Sequence, residues 1–349
     1  MQYPVAITRL ALLTPFGPDT WGALREGRRL TDHSPVADEW LDADESLDRA
    51  ARLALAVARR VDPPRDTPLF FATSKGPATT WLAALDRLAR GDALTEQQAR
   101  SVALGAGSLG FSVAERLGLT APVHTSVAAC SSGMHALHRA SRAIARGEID
   151  RALVLAGDAS LHPLFTGSFE RLGVVAPRDA AGRRACVPFG AAGAGFFLIE
   201  AAAALLLEAR PVGDPLAWIE QVEIAADSTG LIAIDGQTVS LRHVLQRAAL
   251  LGPPAFVHAH ATGTAHDLHE MAAIRSVFSE VPVFSHKFWL GHSLAAAGLL
   301  AAGLSTLAHQ HGVTPTGIVV NPAARSVTIA QGFGGHISVL GLRGSGQRP

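Results

Sequence analysis

An α/β layered fold is predicted by two kinds of segment that alternate along the chain. Short apolar runs at 68–73, 151–157 and 254–260 have the length and composition of buried strands. Alanine-rich amphipathic runs at 47–61, 132–147 and 269–278 show the periodicity of helices. Strand and helix in turn predict mixed layers of the two.

Two segments, 131–146, which overlaps the second of these helices, and 293–308, are rich in alanine and glycine and predict long buried helices. Each follows a turn that carries a reactive residue type, Cys130 in the first case and His292 in the second. This similarity between the two segments favours a chain built from two similar halves, although alanine-rich helices are also common by chance in an alanine-rich chain.

Composition excludes several classes of function. The 349 residues are 48% hydrophobic, carry no net charge and have a pI near 7.3, which does not favour binding to nucleic acid or to an anionic membrane. Two cysteines cannot form a disulfide framework in a chain this long, so reduced thiols in the cytoplasm are expected. The N-terminal residues lack the charged region of a signal peptide. The uncharged stretch 288–308 lacks lipid-facing bulk and predicts a helix buried in protein rather than a membrane span.

The segment 125–140, TSVAACSSGMHALHRA, predicts a strand, a sharp turn and a helix, with Cys130 at the turn. Small neighbours let the backbone bend and let a substrate approach the sulfur. A helix N-terminus offers free N–H groups and a positive dipole end, which favour the nucleophilic thiolate. A lone cysteine is more often a buried structural thiol, but this context favours a nucleophile.

The segment 257–270, VHAHATGTAHDLHE, places five His, Asp and Glu side chains between His260 and Glu270. A metal site is a weak interpretation because no HExxH-type ligand pattern is present. A catalytic histidine in a polar loop and a loop with chance histidines both remain open from this segment alone.

The segment 284–298, FSHKFWLGHSLAAAG, contains Lys287 and, five residues later, His292. Of the 30 basic residues only Lys75 and Lys287 are lysines, so a lysine next to an apolar segment suggests a role that arginine cannot fill. A histidine ahead of a buried helix is expected to stay neutral. Lys75 lies in a loop and has no predicted chemical role.

Taken in order, AACSSG, HATGT and KFWLGHSLAAAG resemble the signatures of the β-ketoacyl synthase family, and GFGG at 332–335 resembles its C-terminal glycine-rich loop. Residues 155–177 also resemble the family, so the likeness covers roughly 110–343. It implies the thiolase fold: two βαβαβαββ halves, 1–209 and 210–349, in a five-layered αβαβα sandwich. The first half would carry the nucleophile and the second both catalytic histidines.

The resemblance also implies an activity and its participants. The implied reaction is the decarboxylative condensation of an acyl thioester with a malonyl thioester on an acyl carrier protein, in fatty acid, polyene or polyketide-type biosynthesis. No metal or organic cofactor is implied. A cytoplasmic dimer is expected, either of two identical chains or with a second ketosynthase-like subunit.

Residue roles follow from the same resemblance. Cys130 would take the acyl chain, while His260 and His292 would assist decarboxylation and stabilise the enolate or the oxyanion. Lys287 would orient His260, and Glu270 would hold Lys287. The N–H groups of Cys130 and Phe333 would form the oxyanion hole, and Phe333 would gate the acyl pocket.

Several positions depart from the family pattern. Ala261 and Ile337 replace a usual glycine and asparagine, and PFG at 188–190 lacks the acidic residue of the family's PFD segment. Glu270 follows His260 by ten residues, one fewer than the pattern, which leaves its role open.

Other functions remain open on the same fold. A degradative thiolase is disfavoured because it needs a second cysteine near the C-terminus, whereas Cys186 lies mid-chain and GFGG carries none. A chalcone-synthase relative would have asparagine where His292 stands, so His292 favours the elongating Cys-His-His class. A chain-length-factor-like partner subunit usually lacks the cysteine. An acyltransferase that does not decarboxylate could keep Cys130 and dispense with Lys287.

Overall fold

The computed structural model describes residues 3–190, 193–227, 230 and 236–346. The strands are β1 (Val5–Leu13), β2 (Leu69–Ala72), β3 (Val123–Ser126), β4 (Arg151–Asp158), β5 (Ala201–Glu208), β6 (Ala217–Ala226), β7 (Phe256–His258), β8 (Val283–Phe284), β9 (Arg325–Gly332) and β10 (His336–Gly344). The helices are α1 (Thr20–Arg25), α2 (Arg49–Val61), α3 (Ala78–Ala89), α4 (Glu96–Leu104), α5 (Ser108–Leu117), α6 (Ser132–Ala145), α7 (Pro163–Arg171), α8 (Val239–Ala249), α9 (His266–Val277), α10 (Lys287–Leu290) and α11 (Ala297–His311).

The predicted strands at 68–73, 151–157 and 254–260 are confirmed as β2, β4 and β7. The predicted helices at 47–61, 132–147 and 269–278 are confirmed as α2, α6 and α9, although α9 begins earlier, at His266. Hydrophobic periodicity therefore located these elements to within a few residues.

The predicted single helix over 293–308 is wrong at its N-terminal end. The short helix α10 ends before Gly291, a 3₁₀ turn covers Leu294–Ala296, and α11 begins only at Ala297. Gly291 has φ +78°, and a Cβ there would lie 2.5 Å from the ring of Phe197. The backbone at Gly291 is thus fixed in a conformation that no helix adopts, and His292 lies in an extended link between two helices.

All ten strands join one mixed sheet in the order β3-β2-β4-β5-β1-β6-β10-β9-β7-β8. Read inward from each outer edge, both sets of five strands follow the same order: third, second, fourth, fifth, first. The two sets meet where β1 pairs antiparallel with β6, from Val5 with Ile219 to Ile7 with Ala217. This repeat supports the division into halves 1–209 and 210–349, which we retain as a proposal.

Helices α6 and α11 pack between the two parts of the sheet, while α2 with α5 and α8 with α9 cover the outer faces. These layers give the predicted five-layered arrangement. The central helices touch through small residues: a Cβ on Gly133 would lie 2.9 Å from the carbonyl oxygen of Ala295, and a Cβ on Gly298 would lie 2.6 Å from Met134. Glycine and alanine are required here because the two backbones approach so closely.

In the part of the chain that the structure describes, no helix is long and apolar enough to cross a lipid bilayer.

Candidate active site

The predicted elbow at Cys130 is present between β3 and α6. Ala129 has φ +47°, a strained value for a residue with a side chain, and begins a 3₁₀ turn that ends at Ser131. The Ser132 hydroxyl accepts from the Ala128 N–H at 2.8 Å and donates to the Ala129 carbonyl at 2.6 Å. These bonds hold the turn, so the Cys130 thiol is presented from a fixed position at the start of the central helix.

The charge state of Cys130 differs from the sequence-based expectation of a thiolate. Burial raises the pKa of the Cys130 thiol to about 11, and the nearby charges of Lys287 and Lys75 only partly oppose this. Cys130 is only 8% exposed, and loss of solvent disfavours the charged thiolate. The resting nucleophile is therefore a protonated thiol that must lose its proton during attack.

The loop that follows β7 is held by two buried carboxylates. Glu270 accepts from the backbone N–H groups of His260 and Ala261, both at 2.8 Å. Asp267 accepts from the N–H groups of Thr262 at 2.9 Å and Gly263 at 2.8 Å. The short spacing from His260 to Glu270 still lets α9 place both carboxylates under the loop.

Lys287 is 1% exposed, and its Nζ donates to the backbone carbonyl of His260. In the described ranges, Lys287 and Glu270 form no direct ion pair, so each contacts the backbone of the histidine loop instead. Burial lowers the pKa of the Lys287 ammonium and raises the pKa of the Glu270 carboxyl, while their mutual attraction opposes both shifts.

The two predicted histidines lie together. The rings of His260 and His292 are 5.5 Å apart between centroids and nearly perpendicular, at 82°. The segment at His292 is fixed by its N–H, which donates to the carbonyl of Phe197 at 2.8 Å. Burial, followed by the Lys287 charge, lowers the pKa of both rings well below the usual value. Both imidazoles are therefore neutral at pH 7, as expected for His292, but burial is the main cause.

The glycine-rich loop after β9 lies directly against the elbow. A Cβ on Gly332 would lie 3.0 Å from the Ala128 carbonyl and 3.1 Å from the Cys130 nitrogen, so a larger residue here would push the loop and the elbow apart. The next residue, Phe333, stacks on Phe169 with 6.3 Å between ring centroids. Within the described residues, neither the Cys130 N–H nor the Phe333 N–H donates to another residue, and the Cys130 N–H lies against its own sulfur. Both are available to a substrate oxygen.

These segments line one cavity of about 400 Å³. Cys130, His260, His292 and Phe333 all reach its wall, together with Phe169, Phe196, Thr262, Thr264, His266, His269, Gln331 and Gly332. Lys287 and Glu270 are not part of this wall and stand behind His260. A thiol, two neutral imidazoles and free amides around one cavity define a thiol acyltransferase site.

Three neighbours of the site have roles that the sequence motifs do not show. Asp267 is one of the five side chains weighed as metal ligands between His260 and Glu270, yet it holds the loop at Thr262 and Gly263. Asp158 and Lys75 both come close enough to Cys130 for their charges to act on its thiol. Only the three-dimensional fold brings the ends of β2 and β4 to the cysteine, so sequence spacing carried no signal for them.

The departures from the family pattern lie around the site. Ala261 is fully buried, and its N–H is bound by Glu270. Phe189, in the PFG segment, has φ +62° and donates its N–H to Asp267 at 3.0 Å. Ile337 is buried in the outer core beside α8 and α9 and does not line the cavity.

Comparison with known proteins agrees with this fold and site. Residues 42–211 match the model of the β-ketoacyl synthase N-terminal domain, and residues 217–321 match that of its C-terminal domain. The chain belongs to the β-ketoacyl synthase family. Members of this family are acyltransferases that condense an acyl thioester with a malonyl thioester, and this chain is an enzyme of that class.

Individual relatives span nearly the whole chain. The "Actinorhodin polyketide putative beta-ketoacyl synthase 1" of Streptomyces coelicolor is 27% identical over 413 aligned positions, covering 97% of this chain and 88% of the relative. A type II polyketide synthase complex of acyl carrier protein and ketosynthase, bound to a hexaketide, superimposes with a TM-score of 0.84 at 21% identity, over 99% of this chain and 100% of the other. The ishigamide ketosynthase/chain length factor superimposes with a TM-score of 0.82 at 24% identity, over 99% of this chain and 100% of the other. Because the identities are only 21% and 24%, the two structures establish the fold alone, which is the thiolase fold.

Proposed function

We propose that this chain elongates an acyl chain on an acyl carrier protein, with Cys130 as nucleophile and His260 and His292 as the groups that assist decarboxylation. The observation that carries the proposal is the convergence of three segments, remote in sequence, on one 400 Å³ cavity. The pathway is of the fatty acid, polyene or polyketide type.

The first step moves the acyl group to Cys130. The sulfur attacks the acyl carbonyl, the carbon–sulfur bond to the carrier breaks, and the proton of the Cys130 thiol ends on the departing carrier thiol. The tetrahedral oxyanion lies within reach of the N–H groups of Cys130 and Phe333, which are aligned before the reaction begins. Phe333, stacked on Phe169, closes one side of the acyl pocket.

The second step is the condensation. The bond from the malonyl α-carbon to its carboxylate breaks, CO₂ leaves, and the electron pair forms an enolate. The enolate oxygen is met by N–H donors from the neutral rings of His260 and His292. The carbanion then attacks the acyl carbonyl on Cys130, and the sulfur leaves and regains a proton. Neutral donors suit this step because an imidazolium would protonate the carbanion too readily.

Lys287 and Glu270 act as positioning residues. Lys287 binds the carbonyl of His260 and Glu270 binds its N–H, so the backbone of this histidine is held from both sides. A fixed backbone keeps the imidazole aimed at the enolate oxygen, which matters because small misplacements reduce rates strongly.

The partners and setting belong to the same proposal. An acyl carrier protein delivers both thioesters, as the solved ketosynthase complex with its carrier protein suggests for this fold. The second subunit is another copy of this chain or a chain-length-factor-like chain, as in the ishigamide assembly. We place the enzyme in the cytoplasm.

The outer edge of β3 is the proposed dimer surface. Among the described strands β3 pairs with β2 only, which leaves one row of its backbone groups open. Three apolar side chains near this edge are about half exposed: Val102 (54%), Phe111 (48%) and Val127 (55%). An open strand edge flanked by apolar side chains fits pairing with the same edge of a second thiolase-fold subunit.

Release of CO₂ from malonyl carrier protein separates the proposed synthase from its two rivals. Wild-type protein should release CO₂ and form a 3-oxoacyl product. His260→Ala and His292→Ala should still load some acyl group on Cys130 but lose about two to four orders of magnitude in condensation rate. His311→Ala is the matched control, since His311 is exposed and stacks on Trp21. No CO₂ release above background would favour a chain-length-factor-like subunit, and acyl transfer without CO₂ release would favour a non-decarboxylating acyltransferase.

A further inference from the structure

The second lysine of the chain, Lys75, lies beside the nucleophile although it is far from it in sequence. It occupies the loop between β2 and α3, at the carboxyl end of a strand whose neighbour β4 ends in Asp158. Its charge acts on both the Cys130 thiol and the Asp158 carboxyl. The two lysines of this arginine-rich chain therefore both lie near the same sulfur atom.

Asp158 accepts hydrogen bonds from three groups, and Lys75 is not one of them. One of its oxygens accepts from the hydroxyl of Ser160, and the other from the hydroxyl of Ser74 and, at 3.4 Å, the N–H of Ala295. The carboxylate is 2% exposed and is satisfied by these donors. Asp158 thus interacts with Lys75 through its charge, while Ser74, Ser160 and Ala295 donate the hydrogen bonds that its oxygens accept.

The ammonium group of Lys75 keeps its donors unused. Within the described residues, its Nζ has neither a hydrogen-bond acceptor nor an ion-pair partner. Its contact is with an aromatic ring: Nζ lies 5.6 Å from the centroid of Phe169. Phe169 lines the 400 Å³ cavity together with Cys130 and stacks on Phe333. Lys75 is not itself among the residues that line this cavity, so its partly buried ammonium, with its donors free, stands behind the ring of Phe169.

An alkyl chain gains no binding free energy from contact with the Lys75 ammonium. Covering an ammonium with hydrocarbon removes its water without replacing the lost hydrogen bonds. An oxygen atom on the chain accepts a charge-assisted hydrogen bond instead, which at ordinary strength corresponds to about a tenfold preference or more. The malonyl carboxylate is a poorer partner, because an ammonium bound to it would stabilise the charge that decarboxylation must remove.

We propose that Lys75, which an acyl chain reaches past the ring of Phe169, forms an oxygen-binding subsite adjoining the acyl pocket and selects acyl chains that carry a carboxylate or keto oxygen over plain alkyl chains of equal length. This inference rests on the proposed function and names its substrate class. Lys75 is a specificity-determining residue in this scheme, and the bond-making steps at Cys130 are unchanged.

The test measures the rate at which Cys130 is acylated, by intact-protein mass spectrometry, with three six-carbon thioesters: hexanoyl, 5-oxohexanoyl and adipoyl. Wild-type protein should load the adipoyl or the 5-oxohexanoyl group at least about tenfold faster than the hexanoyl group. Lys75→Met, which keeps the length of the side chain and removes the charge, should bring these ratios to within about twofold. The two oxygenated groups show whether the subsite takes carboxylate, ketone or both.

Arg210→Met is the matched charge control. Arg210 follows β5 at the end of the sheet opposite Asp158, since Glu208 pairs with Arg151 and Ala201 pairs with Asp158. Its side chain is 76% exposed and pairs with Asp150, so its removal should leave the ratios at the wild-type value.

Three results would overturn the inference while leaving the proposed function intact. Equal loading of all three groups by the wild type would show that no oxygen subsite exists. An equal slowing of all three by Lys75→Met would show that Lys75 acts on the thiol alone. A rise in the KM for malonyl carrier protein with unchanged acyl ratios would assign Lys75 to the malonyl unit. Failure of every acyl group to load on Cys130 would instead overturn the proposed function.

Discussion

Single residues in this site have their charge set mainly by burial. Burial raises the pKa of Cys130 to about 11 and lowers the pKa of His260 and His292 well below the usual value. The result is a set of neutral groups around one cavity, with the ammonium of Lys287 behind them. Sequence motifs identified which residues would meet, but the loss of water at each position depends on the folded surroundings, so the protonated thiol could not be predicted.

Cys130 should be alkylated by iodoacetamide before Cys186. Cys130 lines the cavity, whereas Cys186 is 0% exposed and its thiol lies 3.3 Å from the carbonyl of Thr262. Burial raises the pKa of Cys130 to about 11 and that of Cys186 to about 12, so both react slowly at pH 7 and the rate at Cys130 should rise with pH. Peptide mapping across pH 7–9 measures this order. A label found mainly on Cys186 would remove Cys130 from its assigned role.

Lys287→Arg should keep the fold and lose most condensation activity. The side chain is fully enclosed and a single Nζ donor reaches the His260 carbonyl, a space in which a wide, planar guanidinium would displace the histidine loop. Steady-state condensation, with circular dichroism to verify folding, gives the result. Retention of more than about half the activity would mean that charge alone suffices at this position.

The corresponding change Lys75→Arg was expected from sequence to be nearly silent, because Lys75 had no assigned role. Its position beside Cys130 and Phe169 replaces that expectation, since a guanidinium would alter the packing against Phe169, which lines the acyl pocket. The spacing of residues in the sequence could not show that Lys75 lies near Cys130, because β2 and β4 become neighbours only in the sheet.

At the scale of elements, the site depends on turns that bring three segments together. The 3₁₀ turns before α6 and α11 both begin at a residue with positive φ, Ala129 at 47° and Leu294 at 45°. Helical periodicity located both helices but could not show these turns, because a left-handed residue other than glycine leaves no mark in the hydrophobic pattern. That is why the predicted start of the second helix, at 293, was four residues too early.

Gly332→Ala should impair catalysis more than stability. The added Cβ would lie 3.0 Å from the Ala128 carbonyl and 3.1 Å from the Cys130 nitrogen, so the glycine-rich loop must move away from the elbow and take the Phe333 N–H with it. We expect a loss of about two to three orders of magnitude in acylation of Cys130, the usual scale for an oxyanion donor. Gly167→Ala in α7, where a Cβ would meet nothing within 4 Å, is the control and should retain activity. Equal activities of the two variants would place the oxyanion site elsewhere.

At the scale of the whole molecule, the fold encloses an unusual number of neutral histidines. Burial lowers the pKa of His258 to about 3 and of His309 to about 4, and it also lowers the pKa of His260, His286 and His292 well below the usual value. The layered fold and the chain order of the motifs could be predicted from sequence, because periodicity and family signatures are local. The burial of these histidines could not be predicted from sequence, because it arises from the packing of β7, α10 and α11.

The protein should lose stability as pH falls below about 6.5. Histidines in the unfolded chain take up a proton there while the buried ones stay neutral, so each lowers the free energy of unfolding by about 1.4 kcal/mol per pH unit. Burial raises the pKa of the Glu270 and Asp158 carboxyls, so their protonation increases stability as pH falls. These two carboxyls do not offset the five buried histidines. Thermal unfolding between pH 7.5 and 5.0 should show the melting temperature falling by several degrees or more. A constant or rising melting temperature would mean that these histidines are protonated in the folded state.

The most direct test of the central claim, that this chain condenses acyl thioesters through Cys130, is mass spectrometry of the protein and its products. The purified chain is incubated with a panel of acyl carrier thioesters, with and without malonyl carrier protein, beside a Cys130→Ala control. We predict an acyl adduct that maps to Cys130, and a product two carbons longer that appears only when malonyl carrier protein is present. A folded wild-type chain that forms no adduct, or carries it on Cys186, and yields no longer product would contradict the claim.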